Sequence, residues 1–187
     1  MKLSNMLNSA VVYSAKSDIR FYLKGVNIYY KDGFIYAMSS TDGHCMQTLL
    51  NNKTVDDFTM EYSGLNSVII SNSDCKRLAA IFPYESVDQF TIEDILKHVT
   101  PVEGNCPDVR RVIPSELANS DPLEIGIDYR YLAKISQSMT KLGKGIKTKY
   151  NSAKFTFKSA NEAIRVDVNQ PAFDGVTALI VIMPVRL

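Results

Sequence analysis

The sequence predicts an α+β fold in which helices back one face of antiparallel sheets. Three observations predict it: apolar residues at helical spacing near the amino terminus, a strand-dense stretch broken by an Asp-Gly turn, and a strand-then-helix grammar that returns later in the chain. With 187 residues there is enough chain for one large domain or two small ones. The 45% hydrophobic and 22% charged content excludes disordered and fibrous classes and requires a packed core.

Leu3, Met6, Leu7, Ala10 and Val11 recur at helical spacing and predict an amphipathic helix from Leu3 to Ala15. Arg20 to Tyr30 and Phe34 to Met38 are rich in aromatic and β-branched residues. Lys31-Asp32-Gly33 between them carries the signal of a tight hairpin. Gln47 to Leu50 and Phe58 to Tyr62 are weaker strand candidates. The apolar run Ser67 to Ile70 leads into Ser71-Asn72-Ser73-Asp74, any of which can cap a helix running to about Phe82. Leu123 to Ile127 reads as a strand, Asp128 as an N-cap, and Tyr129 to Leu142 as a helix ended by Gly143. Setting Asp74 against Asp128 matches Lys76 with Arg130, Leu78 with Leu132 and Ile81 with Ile135, an internal repeat of the strand-helix unit. Strands are expected at Ile146 to Tyr150, Lys154 to Phe157, Ile164 to Val168 and Leu179 to Met183. The last of these is apolar throughout, so it should be covered on both faces or line a groove. The polar stretch from Ser115 to Pro122 suits an exposed connector, which divides the chain into 1–114, 115–122 and 123–187.

Twenty-one basic against twenty acidic residues leave a net charge of +1, so any surface facing nucleic acid must be local. Cys45, Cys75 and Cys106 are odd in number and lack CxxC spacing. That argues against a disulfide framework and a structural zinc site and favours a reducing compartment. No signal-peptide core opens the chain, and no stretch approaches the ~20 apolar residues of a membrane span, so a cytoplasmic protein is expected. Asp42, His44 and Cys45 lie together in sequence. However, a nucleophile and its base are usually brought together from distant segments, and neighbouring residues on a strand point to opposite faces. With no phosphate loop and no metal-spaced His/Cys set, the expectation is a non-enzyme with no catalytic residues, metal or cofactor.

Four short segments, in order, resemble the bacterial-type DNA sliding clamp, the β subunit of the replicative polymerase. Ile19-Arg20-Phe21-Tyr22-Leu23-Lys24-Gly25-Val26 is similar to the strand "VRYYLNGV" that opens that family's middle domain. Ser40-Thr41-Asp42-Gly43-His44 is similar to its "ATDGHR" turn. Pro107-Asp108-Val109-Arg110-Arg111-Val112-Ile113-Pro114 is similar to "PDYRRVLP", and Val181-Ile182-Met183-Pro184-Val185-Arg186-Leu187 to the terminal "VVMPMRL". The resemblance implies clamp-type β-α-β units amounting to about one and a half clamp domains: a middle domain over 1–114 and half of a last domain over 123–187. The first domain and a half-domain between Pro114 and Leu123 have no counterpart in the sequence. A ring built from so few units would need several copies, so a homo-oligomer is expected.

The resemblance also implies a groove that accepts a linear peptide from DNA polymerase or another clamp-binding protein. One bank is Leu23, Thr41, Gly43, His44, Met46 and Pro114; the other is Val181, Ile182, Met183, Pro184, Val185 and Arg186. Apolar side chains give such a groove depth, glycine admits a backbone, and methionine repacks around different ligands. Two or three anchors at roughly 1.5–3 kcal/mol each would support micromolar binding after association costs. A plain hydrophobic strand junction would contain the same residue types. Cys45 and Val185 depart from the family's arginine and methionine. Lys76, Arg77, Arg130 and Lys134 on the helices, with Lys16, Phe21 and Tyr22 on a loop, are the implied contacts to double-stranded DNA, made to phosphates without sequence preference. Singly, each of these cations is equally a solvated helix residue. The function implied is a processivity or tethering factor in replication or repair. The alternative is a clamp-derived adaptor or inhibitor that binds replication proteins without encircling DNA.

Overall fold

The computed structural model describes residues 1–53, 55–60, 65–106, 108–113, 125–144, 152–159, 161–168 and 175–185. In chain order these form α1 (Leu3–Ala10), β1 (Gly25–Lys31), β2 (Phe34–Thr41), β3 (Cys45–Asn51), α2 (Val55–Met60), β4 (Asn66–Ser71), α3 (Asn72–Ile81), α4 (Ile92–Leu96), α5 (Tyr129–Leu142), β5 (Lys154–Thr156), β6 (Ile164–Val168) and β7 (Val176–Ile182). The seven strands make one antiparallel sheet in the order β4-β1-β2-β3-β7-β6-β5. This is the α+β architecture that the residue pattern predicts. The join between β3 and β7, running from Cys45 opposite Ile182 to Asn51 opposite Val176, unites the amino- and carboxyl-terminal segments in a single sheet.

Strand alternation gives the sheet two apolar faces. Val26, Ile28, Met38, Cys45, Leu49, Ile180 and Ile182 point toward α1, α3 and α5. Tyr29, Ala37, Met46, Leu50, Leu179 and Val181 point the other way, into a second apolar cluster in which Phe58 of α2 packs against Tyr29 and Tyr36. The β1-β2 hairpin closes through Asp32 and Gly33, both at positive φ, with Lys31 paired to Phe34, as the Asp-Gly signal requires.

Helix α1 departs from the amphipathic expectation, since it is buried on its polar side as well. Its polar side chains have defined partners. Asn5 donates through Nδ2 to the carbonyls of Leu142 and Lys144, each at 3.1 Å, and so satisfies the carboxyl end of α5. Ser9 Oγ lies 3.0 Å from Ser138 Oγ, and Ser40 donates to the Ala10 carbonyl at 2.5 Å. Gln47 Nε2 completes this buried network by donating to Ser138 Oγ.

Four other readings are corrected. The strand expected from Arg20 begins only at Gly25, because Phe21–Lys24 winds into a 3-10 turn. Asp18 ties Arg20 back on itself there, and the Leu23 carbonyl accepts from Ala15 N–H. Phe58 lies on helix α2 rather than on a strand: its ring fills the space beside Tyr29, with centroids 5.4 Å apart, and long-range packing overrides a short apolar pattern. Of the strand expected at Leu123 to Ile127, the described part makes only a single bridge, Gly126 to Val185. The repeat keeps its capped helix but slips in register. Ser71 caps α3 by accepting from Asp74 N–H, and Asp128 caps α5 by accepting from Arg130 N–H, so the caps pair Ser71 with Asp128, three positions away from the sequence match. In that register buried Leu78 answers buried Ile135, whereas Leu132 is 42% exposed. The strand expected at Ile146 to Tyr150 and the connector at 115–122 lie outside the described residues.

Candidate functional site

Residues 41–44 form a turn between β2 and β3 held by its own side chains. Asp42 Oδ1 accepts from the N–H groups of His44 at 3.0 Å and Cys45 at 2.9 Å. Thr41 Oγ1 donates to the Cys45 carbonyl and accepts from Gly43 N–H, both at 3.0 Å. An aspartate that bonds the backbone two residues on is the usual chemistry of such turns. Gly43 sits at φ +95°, in the region where a side chain is strained, and the space above its Cα is bounded by Arg20 and by Leu23 Cδ1.

The chain end lies against this turn. After β7, Met183 N–H donates to the His44 carbonyl at 3.0 Å and Val185 N–H to the Gly126 carbonyl at 2.8 Å. The tail therefore passes between the turn and the segment leading into α5. Met46 is paired directly with Val181, on the face away from α1, α3 and α5. Leu23, Met46 and Val181 are buried and can serve as a floor. Met183 and Val185 are exposed by 45% and 48%, His44 and Gly43 are exposed, and Thr41 and Pro184 are half-buried. The structure thus gathers Leu23, Thr41, Gly43, His44, Met46, Val181, Met183, Pro184 and Val185 into one neighbourhood. Ile182 is the exception: alternation turns it into the helix-side core, where it is fully buried. Pro114 and Arg186 lie outside the described residues.

The side chains of His44 and Cys45 part as strand geometry dictates, His44 into solvent and Cys45 into the helix-side core. Burial first, and then the Asp42 charge, push the Cys45 thiol far up, so it is not a thiolate nucleophile. Among the described residues no group of three or more His, Cys, Asp or Glu side chains could hold a metal ion, and no helix is long and apolar enough to cross a membrane.

The implied DNA contacts do not share one environment. Lys16 and Lys76 are exposed. Arg77 is exposed but engaged with Asp74 at 2.6 Å and the His98 carbonyl at 2.7 Å, and Arg130 folds back on Asp128. Phe21 is 66% exposed with the Lys24 ammonium 4.5 Å from its ring centroid, while Tyr22 lies half-buried against Gly104. Lys134 has a different setting. Its ammonium is turned inward to Asp42 Oδ2 at 2.5 Å, with the rings of Tyr131 and Tyr13 5.4 and 5.9 Å away, and its side chain is only 25% exposed. Burial would raise the Asp42 carboxyl, but the Lys134 ammonium and the two backbone donors outweigh it and hold the group below the usual carboxylate range. Sequence reasoning missed Asp42 as a structural brace; the Asp-Gly pair in a turn was the available signal.

No protein-family model and no curated protein matches the chain. Solved structures do. The DNA polymerase sliding clamp of Pseudomonas aeruginosa superposes with a TM-score of 0.69 at 16% identity, over 99% of this chain and 64% of that one. A sliding clamp of the same organism bound to griselimycin gives a TM-score of 0.68 at 17% identity, over 99% and 63%. The Bartonella birtlesii clamp bound to griselimycin gives 0.64 at 19% identity, over 99% and 64%. The chain spans less than two thirds of the length of these clamps. Across nearly all of its residues, it has the fold of the bacterial DNA polymerase III β sliding clamp.

Proposed function

We propose that the protein is a clamp-type tethering factor, without catalytic activity, that captures an extended segment of a DNA polymerase or another replication or repair protein. The capture site is the trough between the Thr41–His44 turn and the tail from Val181 to Val185. The observation that carries this reading is the contact of the two pieces: Met183 N–H meets the His44 carbonyl, and Met46 is paired with Val181. Buried Leu23, Met46 and Val181 supply a floor, and exposed Met183 and Val185 supply walls that an incoming apolar side chain would cover. The griselimycin complexes of the P. aeruginosa and B. birtlesii clamps add support, because that fold accepts a ligand. Lys16, Lys76, Arg77 and Arg130 are the candidates for phosphate contacts, with Phe21 and Tyr22 beside them, in a self-associated form whose partner edges would be β4 and β5.

A second reading has its own support. Arg77 and Arg130 are paired with aspartates and Lys134 faces inward, so much of the proposed DNA surface is internally neutralised. This favours an adaptor that binds replication proteins without surrounding DNA. Mass in solution and retention on DNA separate the two. A closed oligomer held on circular but not linear duplex at high salt supports the clamp, and a monomer that binds only the peptide ligand supports the adaptor.

A further inference from the structure

We infer that Lys134 is a positioning residue of the trough: from α5 its ammonium holds the Asp42 carboxylate, and through it the turn that presents Gly43 and His44. This inference rests on the trough reading above and adds to it a residue from the helix layer.

The two oxygens of Asp42 divide the work. Oδ1 accepts from the N–H groups of His44 and Cys45, and Oδ2 takes the Lys134 ammonium. A carboxylate held at both oxygens has one rotamer, so the backbone from Gly43 to Cys45 inherits the position of α5. The pair is sheltered, with side chains exposed by 25% and 19%, unlike the solvent-facing pairs Arg130–Asp128 and Arg77–Asp74, whose arginines are 75% and 55% exposed. Shelter matters because screening reduces exposed pairs to little. The packing around Lys134 favours this position. Tyr13 is buried beneath it, Tyr131 flanks it one turn back, and Ile135 beside it is in the core, so α5 cannot roll to release the ammonium without losing packing. The charged and titratable groups around the turn are Asp42, His44, Cys45, Lys134, Tyr13, Tyr131 and Arg20, whose guanidinium lies beside Gly43, with Asp128 and Arg130 at the amino-terminal end of α5. Among them Lys134 is the cation that reaches Asp42. The tail closes the arrangement, since Met183 N–H binds the carbonyl of His44, the residue whose own N–H is fixed by Asp42.

The test uses the full chain, with griselimycin as ligand and the backbone amide resonances of Gly43, His44 and Cys45 as a readout that needs no ligand. Lys134→Met keeps the length of the stem and removes the charge. The expected result is displaced amide resonances at the turn, griselimycin affinity lowered about tenfold, and recovery of both in Lys134→Arg. Asp42→Asn retains an acceptor for the turn amides and serves if Lys134→Met folds poorly. It should lower affinity similarly, with the double variant no worse than either single one. Unmoved turn amides in Lys134→Met overturn the inference whatever the ligand does. Moved amides with unchanged affinity overturn the link to the trough. A wild-type chain that ignores griselimycin sinks the trough reading instead, while the amides still decide whether Lys134 holds the turn.

Discussion

Met183 and Asp42 carry the residue-scale case. Met183 is anchored by its backbone to the His44 carbonyl while the residue stands 45% exposed beside buried Met46 and Val181, and the proposed trough makes it a wall. On the proposed trough, Met183→Ala should weaken binding of griselimycin, the ligand of the neighbouring clamps, by at least about tenfold, measured by calorimetry, with little change in the thermal melt. Unchanged affinity would remove the trough assignment. Asp42 makes a prediction about pH. Its folded carboxyl lies below the ordinary value of 3.8, so its contribution to stability is fully present above that value and is lost as pH falls through the lower, folded one. Urea midpoints of the wild type should therefore fall more steeply below pH 3.8 than those of Asp42→Asn, and parallel curves would show that the ion pair adds nothing. Cys106 supplies a chemical check. Its thiol is pushed up to about 11 by burial and then by Asp108, yet it is half-buried where Cys45 and Cys75 are fully buried. Iodoacetamide should label Cys106 first and slowly in the native protein.

At the scale of elements, α1 shows how polar side chains place a buried helix. It is flanked by α3 and α5, and nothing in its own sequence says what lies against Ser4, Asn5 and Ser9. Asn5 meets two carbonyls at the end of α5, Ser9 meets Ser138, and Ser4 donates to the Pro83 carbonyl at 3.1 Å. Asn5→Ala leaves the buried Leu142 carbonyl without its donor and should cost about 1–3 kcal/mol in urea unfolding. A neutral result would mean that solvent reaches it. Gly25 works at the same scale. A Cβ there would meet the Ile70 carbonyl at 2.6 Å, so glycine permits β1 and β4 to start their pairing where they do. The starts of α3 and α5 were legible, because Ser71 and Asp128 act as caps through bonds spanning only two or three residues, whereas α1, expected to reach Ala15, ends at Ala10. The register of the repeat was not, because matching Asp74 to Asp128 equates a first-turn residue with a cap, and burial decides between such alignments.

For the whole molecule, net charge +1 and the pairing of Arg77, Arg130 and Lys134 with aspartates leave a modest field on the proposed DNA-facing helices. Replacing Lys76 and Arg130 together by glutamate should lower association with duplex DNA several-fold at low salt, with no effect on griselimycin binding. An equal retention of DNA by the variant would assign those side chains to solvent alone. The edges of the sheet set the possibilities for assembly. β5 has three residues, and at β4 the Val102 N–H already donates to the Ile69 carbonyl at 2.8 Å, so one edge is partly occupied by the chain itself. Light scattering across a concentration series gives the state directly.

Much of this protein was determined within reach of a few residues: the Asp32-Gly33 hairpin, the caps at Ser71 and Asp128, the span of α5, and an apolar final strand that had to be covered on both faces or line a groove. Those features depend on dihedral preferences and on bonds to near neighbours, which a linear pattern records. Three others were decided only in three dimensions. β7 pairs with β3, Phe58 enters a helix to cover the far face, and Lys134 turns from solvent to Asp42, 92 positions away. Each depends on which surfaces meet when the sheet closes. Partners so distant along the chain are selected by packing and burial rather than by any local preference of the residues themselves.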